Sequence, residues 1–287
     1  NEVLQGDLNF SSNYLDVNQF MEPTTATPAK NDVPAGAFPV PKNIAVKLHS
    51  KINKLTYTNL TLNNTVGDLA IQNQEVRIED MKTNTLGGNI LMQGLYSTAI
   101  PEKPKFSLKY DLQNIVYKDA FSYLNTVKSL APIAQYIDGR FNTSMIMEGN
   151  MTNGMVPDFN TLSASGFLQT IAGTIKGFKP LENISSLVGV KELNGLDLKD
   201  TKNWFDIVNG VVEIKEFDKQ FKDINLKIGG KHSLTNDMDY AVKAKIPRKL
   251  LDKNGLGVIN SGINSLGSEA SKLGINLNAG EFINVLF

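Results

Sequence analysis

The sequence predicts a mainly β chain with a few short helices, an α+β protein whose strands form a curled antiparallel meander. The layer is groove-like or taco-like, with helices at its ends or mouth. Three observations predict this. Apolar residues alternate with polar ones over short runs, which places every second side chain on one face of a strand. Turn-forming residues separate the runs. Helical spacing is confined to a few segments.

Val3, Leu8 and Phe10 open the chain as a strand, and Tyr14, Leu15, Val17 and Phe20 follow in a second short run. Pro23, Pro28, Pro34, Pro39 and Pro41 then mark residues 22–42 as a linker or extended loop, because proline cannot donate to a sheet ladder. Alternation begins at Ile44, Val46 and Leu48 and passes through Ile52, Leu55, Tyr57, Leu60, Leu62, Leu69, Ile71, Val76 and Ile78. It continues through Ile90, Met92, Phe106, Leu108, Tyr110 and Leu112. Breaks are expected at Asn63-Asn64, Val66-Gly67, Asn73-Gln74, Gly87-Gly88 and Pro101–Pro104.

Ala120, Leu124, Val127, Ala131 and Ala134 recur at helical spacing, with Pro132 ending one helix and opening a second and Gly139 as the stop. Strands return at Phe141–Asn150 and Gly166–Lys176, and Pro180 opens a short helix with Leu181, Ile184, Leu187 and Val188. Further strands fall at Trp204–Val208, Val211–Phe217, Ile224–Ile228 and Tyr240–Ile246. Leu256, Ile259, Ile263, Leu266, Ala270 and Leu273 form an amphipathic stripe, a lid or a docked structural helix, although nearby glycines weaken it. A last strand carries Phe282, Val285 and Phe287.

An internal repeat is visible. Asn73–Ile78 with Met81 lines up with Asn209–Ile214 with Phe217, and Met92 and Gly94 fall on Ile228 and Gly230 at the same shift. After a two-residue deletion, Leu108, Tyr110 and Leu112 fall on Val242, Ala244 and Ile246. Repeated meanders extend one sheet. The organisation read from this is residues 1–21 as the end of a preceding β unit, 22–42 as linker, and 43–137 as a first meander unit with helices. Residues 138–287 form a second unit, continuous with the first.

The 287 residues contain no cysteine, which excludes thiol catalysis, disulfides and cysteine-ligated metals. Lysine plus arginine balances aspartate plus glutamate at 29 each, so no long-range field gathers nucleic acid. The first residue is Asn1, which reads as an excised fragment or processed product. No apolar run approaches the ~20 residues of a membrane helix, so any anchor is expected outside this segment. Asn-x-Ser/Thr triplets at Asn9, Asn59, Asn63, Asn142, Asn150 and Asn183 fit chance in an asparagine-rich chain.

No catalytic constellation emerges. There is no Gly-x-Ser-x-Gly elbow and no His-Glu-x-x-His. The two histidines, His49 and His232, sit in strand patterns at expected solvent-facing or rim positions. Gly87-Gly88 and Gly229-Gly230 precede no helix and read as turns or bulges. Asn236-Asp237-Met238-Asp239 reads as a hairpin turn, since it lacks the loop length and distal glutamate of a calcium loop. No cofactor and no metal is expected.

The candidate site is the apolar face of the sheet. Its positions are Val76, Ile78, Ile90, Met92, Phe106, Leu108, Tyr110, Met145, Met147, Val212, Ile214, Ile224, Leu226 and Ile228. Such a face either closes on a packed core or stays open as an apolar trough. An open trough suits acyl chains, because each buried methylene contributes about 0.8 kcal/mol.

The order of several segments resembles a known family. Val40-Pro41-Lys42-Asn43-Ile44-Ala45-Val46-Lys47-Leu48 opens the sheet, and Leu55-Thr56-Tyr57, Leu60-Thr61-Leu62 and Gly67-Asp68-Leu69 follow. Then come Val76-Arg77-Ile78, Leu86-Gly87-Gly88, Gly94-Leu95-Tyr96 and Pro104-Lys105-Phe106-Ser107-Leu108. Gly177-Phe178-Lys179-Pro180-Leu181, Lys191-Glu192-Leu193-Asn194 and Ile246-Pro247-Arg248 continue the likeness. This series resembles the C-terminal region of the AsmA family, particularly its members in Bacteroidetes-type bacteria, related to TamB and the bridge-like lipid-transfer proteins. The resemblance implies a non-enzymatic periplasmic protein of outer-membrane biogenesis, held to the inner membrane by a segment outside this chain. It implies phospholipid or another acyl-chain lipid as partner, outer-membrane proteins as possible further partners, and no catalytic residue. The alternative is a structural or interaction scaffold, an assembly or adhesin-like β domain with a solid core and no ligand.

Overall fold

The computed structural model describes residues 2–21, 39–152, 156–179, 181–182, 185, 195–233, 238–247 and 282–286. Strands β1 (Leu4–Asp16), β2 (Ile44–Tyr57), β3 (Leu60–Gln72), β4 (Glu75–Thr85), β5 (Gly88–Ser97) and β6 (Lys105–Val116) come first. Then follow β7 (Ile137–Asn150), β8 (Ser163–Ile175), β9 (Thr201–Val208), β10 (Val211–Phe221), β11 (Ile224–Ser233), β12 (Met238–Pro247) and β13 (Phe282–Leu286). All lie in one sheet in chain order, the pattern of a meander. The fold is mainly β and the sheet is curled and not closed, as the alternation predicts. Every described pairing is antiparallel except β1 with β2, which is parallel.

The expected breaks at Asn63-Asn64 and Val66-Gly67 are not turns. Both lie inside β3, where the register against β4 shifts between Asn63 and Val66 and again between Val66 and Asp68. Three such shifts carry a residue in the left-handed region: Asn64 at φ 53°, Asp80 at φ 46° and Asn114 at φ 58°. Asparagine and aspartate tolerate this conformation better than other side-chain-bearing residues. A bulge bends its strand and sharpens the twist, so these positions help curl the layer. The hairpin at Asn73-Gln74 is a true turn, with φ 53° and 62°, and Asn209-Gly210 repeats it at φ 49° and 75°. Paired positive φ at both central residues is the two-residue turn whose twist matches the strands.

The helical section lies between β6 and β7. It divides into α2 (Tyr117–Tyr123), α3 (Asn125–Leu130) and a 3-10 turn at Pro132–Tyr136, after a short α1 at Asn18–Met21. Leu124 is extended at φ −106°, so the spacing that suggests one continuous helix is interrupted there. Gly139 is no helix stop. It sits in β7 opposite Gly173, where an added Cβ would strike the Ala172 carbonyl oxygen. The short helix expected after Pro180 lies largely, and the 256–273 stripe and residues 236–237 wholly, outside the described residues. Met238 and Asp239 begin β12.

Side chains on the concave face form two packed clusters. One runs through Leu60, Leu112, Ile115, Phe141, Ile224 and Ile246, a continuous cluster from β3 to β12. Tyr117, Ala120, Leu124, Val127 and Ala134 of the helical section cap this end. Tyr117 stacks on Phe141 at 4.5 Å and its hydroxyl hydrogen-bonds Thr170 Oγ1 at 2.7 Å. The second cluster, Phe106, Met145, Met147, Leu162, Ala164, Ile207 and Val212, fills the other end of β6–β10, with Leu130 of α3 against it.

The register carries the internal repeat over the hairpin and bulge of β3–β5 and β9–β11. Leu69↔Ile78 and Ile71↔Val76 of β3–β4 match Phe205↔Ile214 and Ile207↔Val212 of β9–β10. Ile78↔Gly94 and Met81↔Met92 flank the bulge in β4, and Ile214↔Gly230 and Phe217↔Ile228 flank the same bulge in β10. Leu48↔Leu69 and Ile52↔Thr65 of β2–β3 match Gly166↔Phe205 and Thr170↔Thr201 of β8–β9. The register shift between Leu112 and Ile115 of β6–β7 has no counterpart in β12–β13, where Ala244↔Val285 and Ile246↔Ile283 run uninterrupted. The deletion read from the sequence is corrected: Leu108 faces Gly94 and Tyr240 faces Gly230, so Leu108 corresponds to Tyr240 and Tyr110 to Val242.

Two outcomes test this packing. Ile115→Ala, at a fully buried position, lowers stability by about 2–5 kcal/mol, whereas Ile146→Ala on the convex face costs less than about 0.5 kcal/mol, both by urea denaturation. Asn64→Val destabilises by about 1–2 kcal/mol while Asn64→Gly is near neutral, because only the branched residue resists left-handed backbone.

Candidate functional site

The pairings place every candidate trough residue on one face of the sheet. Ile78, Gly94, Leu108, Met147, Ala164, Ile207 and Val212 form one continuous cross-strand row from β4 to β10. Val76, Ile90, Met92, Phe106, Tyr110, Met145 and Ile214 share that face by two-residue steps. The face passes to β11 through Ile214↔Gly230, which carries Ile228, Leu226 and Ile224 with it.

Burial divides the set. Phe106, Met145, Met147, Val212, Ile224 and Leu226 are buried in the two clusters. Ile90, Leu108, Tyr110, Ile214 and Ile228 are half-buried and pack against those clusters. Val76, Ile78 and Met92 are half-buried and belong to neither cluster among the described residues. Around them on the same face are Val46, Leu48, Leu69, Ile71, Met81 and Tyr96, all half-buried. The concave face is thus buried at the capped end of the sheet, including Ile52 and Leu60, and through the second cluster of β6–β10, and is half-buried at Val46, Leu48, Leu69, Ile71, Val76, Ile78, Met81 and Met92 of β2–β5. Leu69, Ile71 and Met81 complete the more open part. Their alternation was visible in the sequence, but nothing there separated them from a filled core.

Glycine shapes this surface. An added Cβ at Gly94 would meet Leu108 Cδ2 at 2.7 Å and lie 3.5 Å from Ile78 Cδ1, so glycine keeps a furrow between those side chains. The repeat holds glycine again at Gly230. Tyr110 lies in this apolar lining and burial raises the ionisation of its phenol, so it stays neutral. Its hydroxyl donates to the Met145 sulfur at 3.9 Å.

His232 departs from its expected rim position. It is buried on the concave face, its Nδ1 2.9 Å from the Tyr240 hydroxyl. His49 is on the opposite face, with Nδ1 2.8 Å from Asp68 and Nε2 3.1 Å from Asp7. No cluster that could hold a metal ion occurs among the described residues.

The convex face is polar, with depressions at the β4 bulge. One, of about 530 Å³, is lined by Arg77, Glu79, Asp80, Gln93 and Lys109 among others. Gln93 donates to Asp80 at 2.7 Å and Arg77 pairs with Glu75 at 2.7 Å. Further along, Trp204 is 52% exposed beside Phe167, with Lys202 Nζ 4.9 Å and 4.1 Å above the two rings. These features are separate from the apolar face.

The Asp68 carboxyl is held below its ordinary 3.8 by the hydrogen bond from His49, which outweighs an opposing desolvation, with the charges of His49 and Lys47 adding to the lowering. A depressed carboxylate stabilises the fold above its unfolded value and loses that contribution as pH falls through the folded value. In His49→Gln the Asp68 titration, followed by carboxyl carbon NMR, moves up toward 3.8.

No family model, no curated protein and no solved structure matches the chain.

Proposed function

We propose that this chain is a non-enzymatic, acyl-chain-holding part of the bacterial cell envelope. It would lie in the periplasm, tethered to the inner membrane by a segment outside this sequence, and serve outer-membrane biogenesis. The single observation that carries the reading is the half-buried apolar surface at Val46, Leu48, Leu69, Ile71, Val76, Ile78, Met81 and Met92 of β2–β5, continuous with the two packed clusters. An aliphatic occupant there gains about 0.8 kcal/mol per methylene removed from water. Methionines at 81 and 92 suit an adaptable lining for tails of varied shape. The segment order shared with the AsmA family supports phospholipid as the occupant. A second reading, a scaffold without ligand, draws on the packing of Phe106, Met145, Met147, Leu162 and Ile207, which leaves that part of the face filled.

The readings part in one experiment. A benzophenone amino acid at Ile78 or Met92 captures phospholipid from envelope extracts on illumination, while the same group at Phe141 captures none. Ile78→Asp with Met92→Lys lowers co-purifying lipid, measured by native mass spectrometry, by about tenfold or more, since 1.4 kcal/mol is under two methylenes of burial. Capture of protein alone at Ile78 and Met92, with no lipid in the unaltered chain, leaves the scaffold reading.

A further inference from the structure

We infer that the convex face of β7–β9 carries a saccharide-binding strip, on which Phe167 and Trp204 stack against a neutral oligosaccharide. The strip lies on the opposite side of the sheet from the apolar face, so it does not depend on the proposed function. Three observations carry it.

First, the register sets the two rings in the middle of a grid. Ser144, Phe167 and Trp204 lie opposite one another across β7, β8 and β9. Two residues along each strand, on the same face, Asn142, Gln169 and Lys202 form the row on one side. Ile146, Ser165 and Asp206 form the row on the other. Trp204 is 52% exposed and Phe167 is half-buried, with ring centroids 5.4 Å apart. Aromatic faces are electron-rich, so they take the C–H face of a sugar ring.

Second, the surroundings of the rings suit hydroxyl groups rather than charge. Asn142 and Gln169 present amides, Ser144 and Ser165 hydroxyls, Lys202 an ammonium and Asp206 a carboxylate, so donors and acceptors flank the rings on both sides. Lys202 and Asp206 cancel within the grid. The neighbouring strands bring Lys109 with Asp111 on β6 and Glu213 with Lys215 on β10, again one of each sign. No net field draws a polyanion or an anionic lipid surface here. Lys215 Nζ lies 2.7 Å from Asp206 and holds that carboxylate ionised, an acceptor beside the rings. A neutral polyhydroxylated ligand meets both requirements.

Third, the apolar strip is narrow. Residues two apart on a strand are about 7 Å apart, so polar rows bound the rings to the width of one side chain. That is less than the roughly 10–12 Å of a helix with its side chains, and it suits a single sugar ring. Ile146, at a corner of the grid, is the one apolar side chain outside the middle row. The rings are tilted by 59°, which fits a chain that turns between successive sugars rather than a flat sheet of them. Lys202 Nζ lies 4.1 Å and 4.9 Å over the Phe167 and Trp204 centroids. Its flexible stem swings aside as a sugar ring takes that place, and the ammonium then donates to a hydroxyl.

The test uses the full chain with three neutral probes, chitotetraose, cellotetraose and maltotetraose. Trp204 gives the single indole N–H signal of a proton–nitrogen NMR spectrum. The expected result is that at least one probe moves this signal saturably, while phosphatidylcholine vesicles leave it in place. By calorimetry, Trp204→Ala and Phe167→Ala each weaken that binding by about tenfold. Gln169→Ala weakens it by about threefold. Val208→Ala, 60% exposed on the same face but outside the grid, leaves it unchanged. Circular dichroism checks that each variant is folded. Should Phe167→Ala not be, Trp204→Ala decides together with Trp204→Phe, which keeps a ring and most of the affinity. No saturable shift with any of the three probes leaves the patch to a protein partner and overturns the proposal. A shift with vesicles alone, or saccharide binding that survives Trp204→Ala undiminished, overturns it as well.

Discussion

A one-layer sheet with a single apolar face has nothing to bury that face against except itself. This constraint governs the rest of the molecule. Ile224 and Ile246, far along the chain, share one continuous cluster with Leu60 and Leu112 along the inner face of the curled layer. Bulges at Asn64, Asp80 and Asn114 supply local bending, and the section from Tyr117 to Tyr136 supplies apolar side chains where the curl alone does not close. Remove the bending and the same alternating sequence would expose one side of every strand.

Much of this was legible in the sequence. Alternation from Ile44 to Ile246 located the strands, because one side buried and one side wet leaves a period of two. Asn63-Asn64 was misread because asparagine serves turns and bulges by the same conformational tolerance, and only pairing with β4 tells them apart. The sense of β1 was not legible, since parallel and antiparallel edge strands carry the same alternation. The helical section was placed correctly but not its break at Leu124, which follows from packing onto the curled sheet. His232 was misplaced because a histidine on an alternating strand carries no mark of how closely the opposite wall approaches.

The candidate site shows the same division. Which residues share the face could be read from spacing, and the register joins them all. Which of them are covered could not, because coverage is decided by strands remote in sequence. Met92 and Met147 look alike in sequence, yet Met147 sits in a packed cluster and Met92 stands on the more open part. The register adds that the bulge of β4 is reproduced in β10.

The placement of Trp204 has a practical consequence. It is the chain's sole tryptophan, and it stands on the convex side with Phe167 as neighbour and a lysine ammonium above it. Its fluorescence therefore samples the outer skin of the molecule rather than the interior. An intensity or wavelength change would report an event on that outer skin, such as contact with another macromolecule, and would stay quiet while the inner surface fills or empties.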